Sequence, residues 1–444
     1  MRKITGFLLL VTFCALASPG IAQTPTPAPA SPPRLTIPAA AQRPLDPAKA
    51  TQAWLDTVPA AKRAKSDAYF EGGYWLILWN FLLAAAIALF LLCSGLSAWL
   101  RDLAERMIRF RSLQVAIYAV GYIIIVSVLS FPLDVYAGYF REHAYGLSTQ
   151  NFAAWSGDQT KSLIVVLIGG TLVLMLLYAV FRRAPRTWWI WGTVVAVGLL
   201  IVSGLLSPTL IEPLFNTYKP IADPKISASI LQMARANEIP VQQVFVVDAS
   251  RQSNRVSANV SGIFGTARIA LNDNLLKQCT LPEIRAVMAH EMGHYVLNHS
   301  VKLVIYFGIF FFVGFAVVRG LFDACVRRWG RNWGVRGIAD PAGFPLLMLI
   351  FTTYFFLLTP LTNTATRVTE READAFGINT AREADGFAAV ALKLGTYRKL
   401  DPGSVEEFIF FDHPSGRSRI RMAMDWKAAN LPAGDAGTPA ANSR

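Results

Sequence analysis

The chain alternates long apolar runs with short polar connectors, and the runs come at membrane-spanning length. Six of them lie at approximately Tyr74 to Leu100, Leu113 to Leu133, Ser162 to Phe181, Trp188 to Leu206, Val304 to Leu321 and Phe344 to Leu361. Each approaches the roughly 20 residues with which a helix crosses a bilayer. Tyr and Trp gather near several run ends, as interfacial anchors do. Six such runs in one chain disfavour the rival assignment, core helices of a large soluble protein. A shorter apolar core opens the sequence, "MRKITGFLLLVTFCALASPGIAQ", and reads as a secretory signal peptide over 1–22, the alternative being a first span. Residues 23–60, rich in Pro and Ala, read as a linker, and 428–444 as a disordered tail.

Two polar stretches break the pattern. Residues 211–302 separate the fourth and fifth runs, and residues 362–427 follow the sixth. The first predicts a helix over Pro224 to Ala236 and strands over Val244 to Asp248, Arg255 to Val260 and Arg268 to Leu271. A further helix is predicted over Thr280 to Asn298, opened by Thr280 and Glu283 at capping-box spacing. This arrangement places four spans in 61–210 and two more in 303–361.

Composition agrees with a membrane protein. Of 444 residues, 53% are hydrophobic and only 16% charged, against about a quarter charged in soluble chains. The net charge of +13 lies largely in short loops, so no nucleic-acid partner is expected and the lipid bilayer is. Arg101, Arg106, Arg109 and Arg111 follow the first run, Arg182, Arg183 and Arg186 the third, and Arg327, Arg328, Arg331 and Arg336 the fifth. These three loops fall on one side, and both polar stretches fall on the other. By the positive-inside rule the polar stretches face away from the cytoplasm. The four cysteines, Cys14, Cys93, Cys279 and Cys325, show no metal or disulfide spacing.

The candidate chemistry lies in "AVMAHEMGHYVLNH". On a helix His290 and His294, at i and i+4, project from one face and can share one Zn²⁺. Glu291 points about 100° away, where it can act as general base on a water bound there. Gly293, costly in a helix interior by about 1 kcal/mol, implies close approach of a neighbour. A third ligand is required. His299 is five residues beyond His294, a spacing that turns it off the shared face of a continuous helix. "TNTATRVTEREADAFG" is the better source. There Glu370 and Asp374 share a face and Glu372 does not; one of that pair could bind the metal while the other orients a ligand histidine, and spacing does not choose between them. The expected fold is therefore mainly α, a polytopic α-helical membrane protein with a small α+β zinc-metallopeptidase domain split by the last two spans. A non-catalytic membrane scaffold or chaperone-like chamber with structural zinc is the alternative, distinguished by a fourth protein ligand closing the site.

At this point the residues resemble a family, the type I CAAX prenyl proteases, which are integral-membrane zinc metallopeptidases of the gluzincin type. The resemblance runs from about Tyr74 to Met424. "HEMGHYVLNH" resembles the family's HExGHxxxxH, and "NTATRVTEREADAF" its NxxSRxxExxADAF. The resemblance implies His290, His294 and Glu370 as ligands of one Zn²⁺ per chain and Glu291 as catalytic base. It implies Asp374 as the acidic support, with Asn363 and Arg367 as the polar residues before it. "DHPSGRSR" resembles HPPLxER and implies His413 and Arg419 beside metal and substrate, assisting catalysis. "SRQSNRVSANVSG" resembles the family's substrate-lining edge strand. It implies that the backbone of Ser257, Ala258 and Asn259 pairs with an extended peptide. Ser257 stands where the family has Asn, "PSG" replaces "PPL", and six spans plus a leader replace seven spans. The family encloses a chamber in its helices, which implies small or unfolded peptides as substrates. The leader points to a bacterial inner membrane, with the zinc domain on the periplasmic side. Prenylated substrates are not expected there, so the resemblance carries the peptidase chemistry further than the substrate.

Overall fold

The structure is a computed structural model, and it describes residues 34–42, 45–261 and 267–431. The expected leader and most of the tail lie outside them. The first helix, α1 (Pro47–Asp56), departs from the linker expected over 23–60. Asp46 caps it, accepting from the Ala48 amide at 2.8 Å, and Pro47 supplies a preset first turn. Trp54 and Leu55 are buried against α16 (Gly416–Asn430). The Asp-Pro start and one Trp-Leu pair outweigh the Pro/Ala composition.

The membrane region begins with α2 (Ala60–Cys93), fourteen residues ahead of the expected Tyr74 start, because nothing after Pro59 breaks the helix. It ends before Leu100, at Gly95, whose φ of 72° suits glycine and turns the chain into a separate helix, α3 (Leu96–Met107). The chain continues through α4 (Arg111–Val135), a π turn (Tyr136–Phe140), α5 (Arg141–Ala144), α6 (Phe152–Arg183) and α7 (Trp188–Leu206). Later come α11 (His299–Trp333) and α12 (Phe344–Leu357). Among the described residues five helices are long and apolar enough to cross a membrane, and the pair α12 and α13 (Thr359–Ala381), bent by 59°, is so when taken together. Pro360, in the first turn of α13, has no amide to continue the α12 ladder, so the break falls there. The spans touch in a closed circuit, α2–α4–α6–α7–α11–α12 and back to α2.

The extramembrane part holds β1 (Tyr218–Pro220), α8 (Pro224–Ala236), β2 (Val244–Val247), β3 (Ala258–Ser261) and β4 (Arg268–Asn272). It continues with α9 (Asp273–Gln278), α10 (Leu281–Val296), α14 (Ala384–Leu394), α15 (Ser404–Phe410) and α16. The sheet order is β1-β2-β4-β3. β2 and β4 are parallel, with Val244 opposite Ile269, and β3 is an antiparallel edge, with Asn259 opposite Ala270. β1, three residues ending in proline, escaped the sequence pattern. The capping box is present: the Thr280 amide donates to Glu283 Oε2 at 2.6 Å.

The basic loops meet at one end of the spans. Arg101 donates to Asp340 at 2.6 Å and to the Gly334 carbonyl at 2.8 Å, and Arg336 reaches Glu105 at 2.7 Å. At the opposite end the connector after α5 joins the sheet region, Asn254 N donating to Leu147 O at 3.1 Å.

Two glycines decide how α10 meets α13. A Cβ on Gly293 would stand 3.2 Å from Ala373 Cα, and one on Gly377 would stand 2.9 Å from His290 N. Gly377→Ala is expected to destabilise the protein by about 1–3 kcal/mol through overpacking, read as a lowered melting temperature. Gly169→Ala, whose Cβ meets nothing within 4 Å, is the control and is expected to leave melting unchanged or slightly raised. Equal melting of the two variants would contradict this packing.

Candidate active site

The glycine contact lets α13 lie against the histidine face of α10. Glu370, buried on α13, brings Oε2 to 3.3 Å from His290 Nε2 and Oε1 to 3.5 Å from His294 Nε2. The two Nε2 atoms are 3.1 Å apart. One ligand atom from each of His290, His294 and Glu370 lies within 4.8 Å of the others. The Glu370 Oε2 atom is buried and, although two imidazole nitrogens approach it to 3.2–3.3 Å, none is aligned as a hydrogen-bond donor to it among the described residues. A buried carboxylate oxygen without a donor is costly, and a cation among these three atoms would satisfy it. The set of two imidazoles and one carboxylate fits zinc and leaves a vertex open. Among the described residues this is the one such group of three or more His, Cys, Asp or Glu. Cys93, Cys279 and Cys325 are free and take no part.

Glu370 and Asp374 stand differently toward the histidine pair. Asp374 lies one turn further on, fully buried, with Oδ1 2.8 Å from His290 Nδ1 on the side of the ring away from Glu370. Arg419, from α16, grips Asp374 with both sides of its fork: Nε donates to Oδ2 at 2.9 Å and Nη2 to Oδ1. Burial pushes the Arg419 pKa down, but Asp374 outweighs it and the guanidinium is held above its ordinary value. Burial also pushes the His290 pKa down, yet the carboxylates of Asp374 and then Glu370 beside it lift it to about 10. The pocket therefore favours positive charge at His290. For His294 burial, then the charge of His290, holds the pKa down at about 3, so this ring stays neutral with a lone pair to offer.

His413 stands at the rim of the same group, Nε2 3.2 Å from Glu370 Oε2 and Nδ1 2.9 Å from Asp412 Oδ1. Burial raises the Asp412 pKa, but His413 beside it outweighs this and holds it well below the carboxylate range. Two residues of α13 fasten this loop. Arg367 donates to Glu407 O at 2.9 Å and to Phe411 O, and Asn363 to Ile409 O at 2.8 Å. Glu291 is half-buried beside His290, close enough for its charge to act on Arg419. On the other flank β3 is the outermost strand, and α10 packs against it. Ser257 precedes β3 but continues its ladder, its carbonyl accepting from Asn272 N at 2.9 Å. Ala258 and Asn259 lie within β3, and Asn259 Oδ1 is buried without a partner.

His299 was expected off the face of a continuous helix. The helix is not continuous: Asn298 adopts φ 54°, and His299 begins α11, which swings its Nδ1 to 2.9 Å from His294 Nδ1. Glu372 is indeed away from the metal group; it pairs with His299 and Lys302.

A ring of spans carrying an H-E-x-x-H helix that converges with a glutamate from a second helix defines a membrane metallopeptidase. The model of peptidase family M48 matches residues 220–427, and that of the CAAX prenyl protease N-terminal region, five membrane helices, matches 46–217. The chain is 31% identical over 340 residues to the uncharacterized metalloprotease YhfN of Bacillus subtilis, covering 75% of this chain and 78% of that protein. It is 28% identical over 318 residues to CAAX prenyl protease 1 of Saccharomyces cerevisiae, covering 68% and 69%. The crystal structure of S. mikatae Ste24p shares the fold, with a TM-score of 0.69 at 22% identity over 83% of this chain and 90% of that one. The chain belongs to the M48 peptidases of the CAAX prenyl protease 1 type, and is an integral membrane zinc metalloprotease.

Asp374→Asn removes the charge that orients His290 and leaves Arg419 buried without its partner. Metal affinity is expected to fall ~10–100-fold, measured by chelator competition, and stability by about 3–5 kcal/mol. Unchanged affinity would remove Asp374 from the supporting role.

Proposed function

We propose that the chain hydrolyses peptide bonds of small or unfolded peptides, with one Zn²⁺ per chain held by His290, His294 and Glu370. The observation that carries the reading is the convergence of these three ligand atoms, with Glu291 on the next position of the same helix. When bound, the metal acidifies water and polarises the scissile carbonyl. Glu291 takes the proton of the attacking water and passes it to the leaving amine. His413 faces the same group, and its Nε2 would hydrogen-bond the developing oxyanion from the tautomer that carries its proton there, since burial and then the charge of Arg398 hold its pKa below the ordinary imidazole value. Arg419 acts on the reaction through Asp374 and His290, since its fork is engaged there. Asn363 and Arg367 position the His413 loop.

Substrate pairs as an added strand with the outer edge of β3, through the backbone of Ser257 to Asn259. The place of β3 at the end of the sheet, with no further strand beside it among the described residues, and its contact with α10 support this register. Substrate reaches the site through a chamber inside the ring of spans. Support comes from the closed circuit of helix contacts. The protein resides in a bacterial inner membrane with the site on the periplasmic side, a reading supported by basic loops clustered at the opposite end.

Two outcomes are expected. Purified Glu291→Gln binds zinc as the wild type does but loses cleavage of an unfolded peptide by at least ~100-fold; normal turnover would refute the assigned base. A reporter fused after Arg444 is expected to be active in the periplasm, and cytoplasmic activity would reverse the orientation.

A further inference from the structure

The two histidines of the metal group are backed differently. Behind His290 stands a carboxylate, Asp374, gripped by Arg419. Behind His294, among the described residues, the partner is another imidazole: His294 Nδ1 lies 2.9 Å from His299 Nδ1, the rings meeting edge to face at 76°. His299 Nε2 lies 3.0 Å from Glu372 Oε2, and the same oxygen accepts from Lys302 Nζ at 2.6 Å. We propose that His299, Glu372 and Lys302 form a relay that positions His294 for the metal, the counterpart of the Asp374–Arg419 pair behind His290. The inference rests on the zinc reading above.

Proton placement gives the relay its direction. If His294 offers the Nε2 lone pair to zinc, its one proton sits on Nδ1 and is donated outward. His299 Nδ1 must then be bare to accept it. The proton of His299 is consequently on Nε2, where it is donated to Glu372. Each ring holds one proton and each short contact has one donor and one acceptor. Reversing the first bond would put the proton of His294 on Nε2 and block the ligand atom. The relay thus selects the tautomer that binds metal.

Burial sharpens the selection. His299 is 1% exposed and fills the space behind His294, whereas Glu372 and Lys302 have side chains 42% and 37% exposed and end the relay at the surface. The left-handed turn at Asn298 makes the contact possible by starting a new helix at His299. Glu372, on the face of α13 that does not meet the metal, gains a role that the ligand pattern left unassigned.

The test uses purified full-length protein in detergent, with zinc affinity by chelator competition and melting of the metal-stripped forms. His299→Leu is expected to weaken zinc binding ~10–100-fold. His299→Asn, whose Oδ1 can take the place of Nδ1 as acceptor, is expected to recover most of that loss, while the stripped proteins melt alike. Glu372→Gln should weaken zinc binding in the wild-type background and have no effect in His299→Leu, because coupled residues are not additive. Wild-type affinity in His299→Leu, or an equal Glu372→Gln effect in both backgrounds, overturns the relay. Failure of the wild type itself to bind zinc overturns the metal reading and the relay with it.

Discussion

The close approach of α10 and α13 is the constraint on which the rest depends. Ligands from one helix cannot complete a catalytic zinc site when the third donor lies about 75 positions downstream, across a membrane hairpin. Here α13 approaches α10 this closely where each helix presents a glycine at the crossing. A Cβ at either position would crowd the facing helix, at 2.9 Å from His290 N for Gly377 and 3.2 Å from Ala373 Cα for Gly293, and would push Glu370 away from His290 and His294. The bend at Pro360 serves the same end by releasing the last span from its membrane direction into this contact.

Bringing these groups together concentrates charge in a buried place, and the supporting residues are arranged to offset it. Asp374 is fully buried yet paired on one side with His290 and on the other with Arg419. Asp412 is matched by His413. Removing one partner of such a pair leaves an uncompensated charge, which costs far more than the pair contributes. The His290–His294–Glu370 group is thus held by two layers, and the outer layer reaches α13, α16 and the loop after α15. That dispersal explains why the domain can be split by two spans and still form one site.

Much of this was legible in the residues. The spans, the capping box at Thr280 and the H-E-x-x-H spacing depend on local periodicity, which a sequence carries directly. Gly293 announced a close neighbour, although not which one. The choice between Glu370 and Asp374 was not legible from spacing, because both lie on one face of α13 and only the approach of α10 separates them. His299 lies off the shared ligand face, as its spacing predicts, but its contact with His294 was not legible, because helical spacing assumes an unbroken helix. Asn298, a residue that tolerates left-handed backbone, was the available signal. The docking of α1 was hidden by composition: a Pro/Ala-rich segment reads as linker until Asp46, Pro47, Trp54 and Leu55 are weighed one by one.

The central claim is that His290, His294 and Glu370 meet on one ion with a position left for water. Zinc K-edge absorption spectroscopy of the purified, zinc-loaded protein tests it most directly. The account predicts two imidazole nitrogens at about 2.0–2.1 Å and light oxygen donors completing the shell. A shell of sulfur donors, or of imidazoles alone, would contradict it.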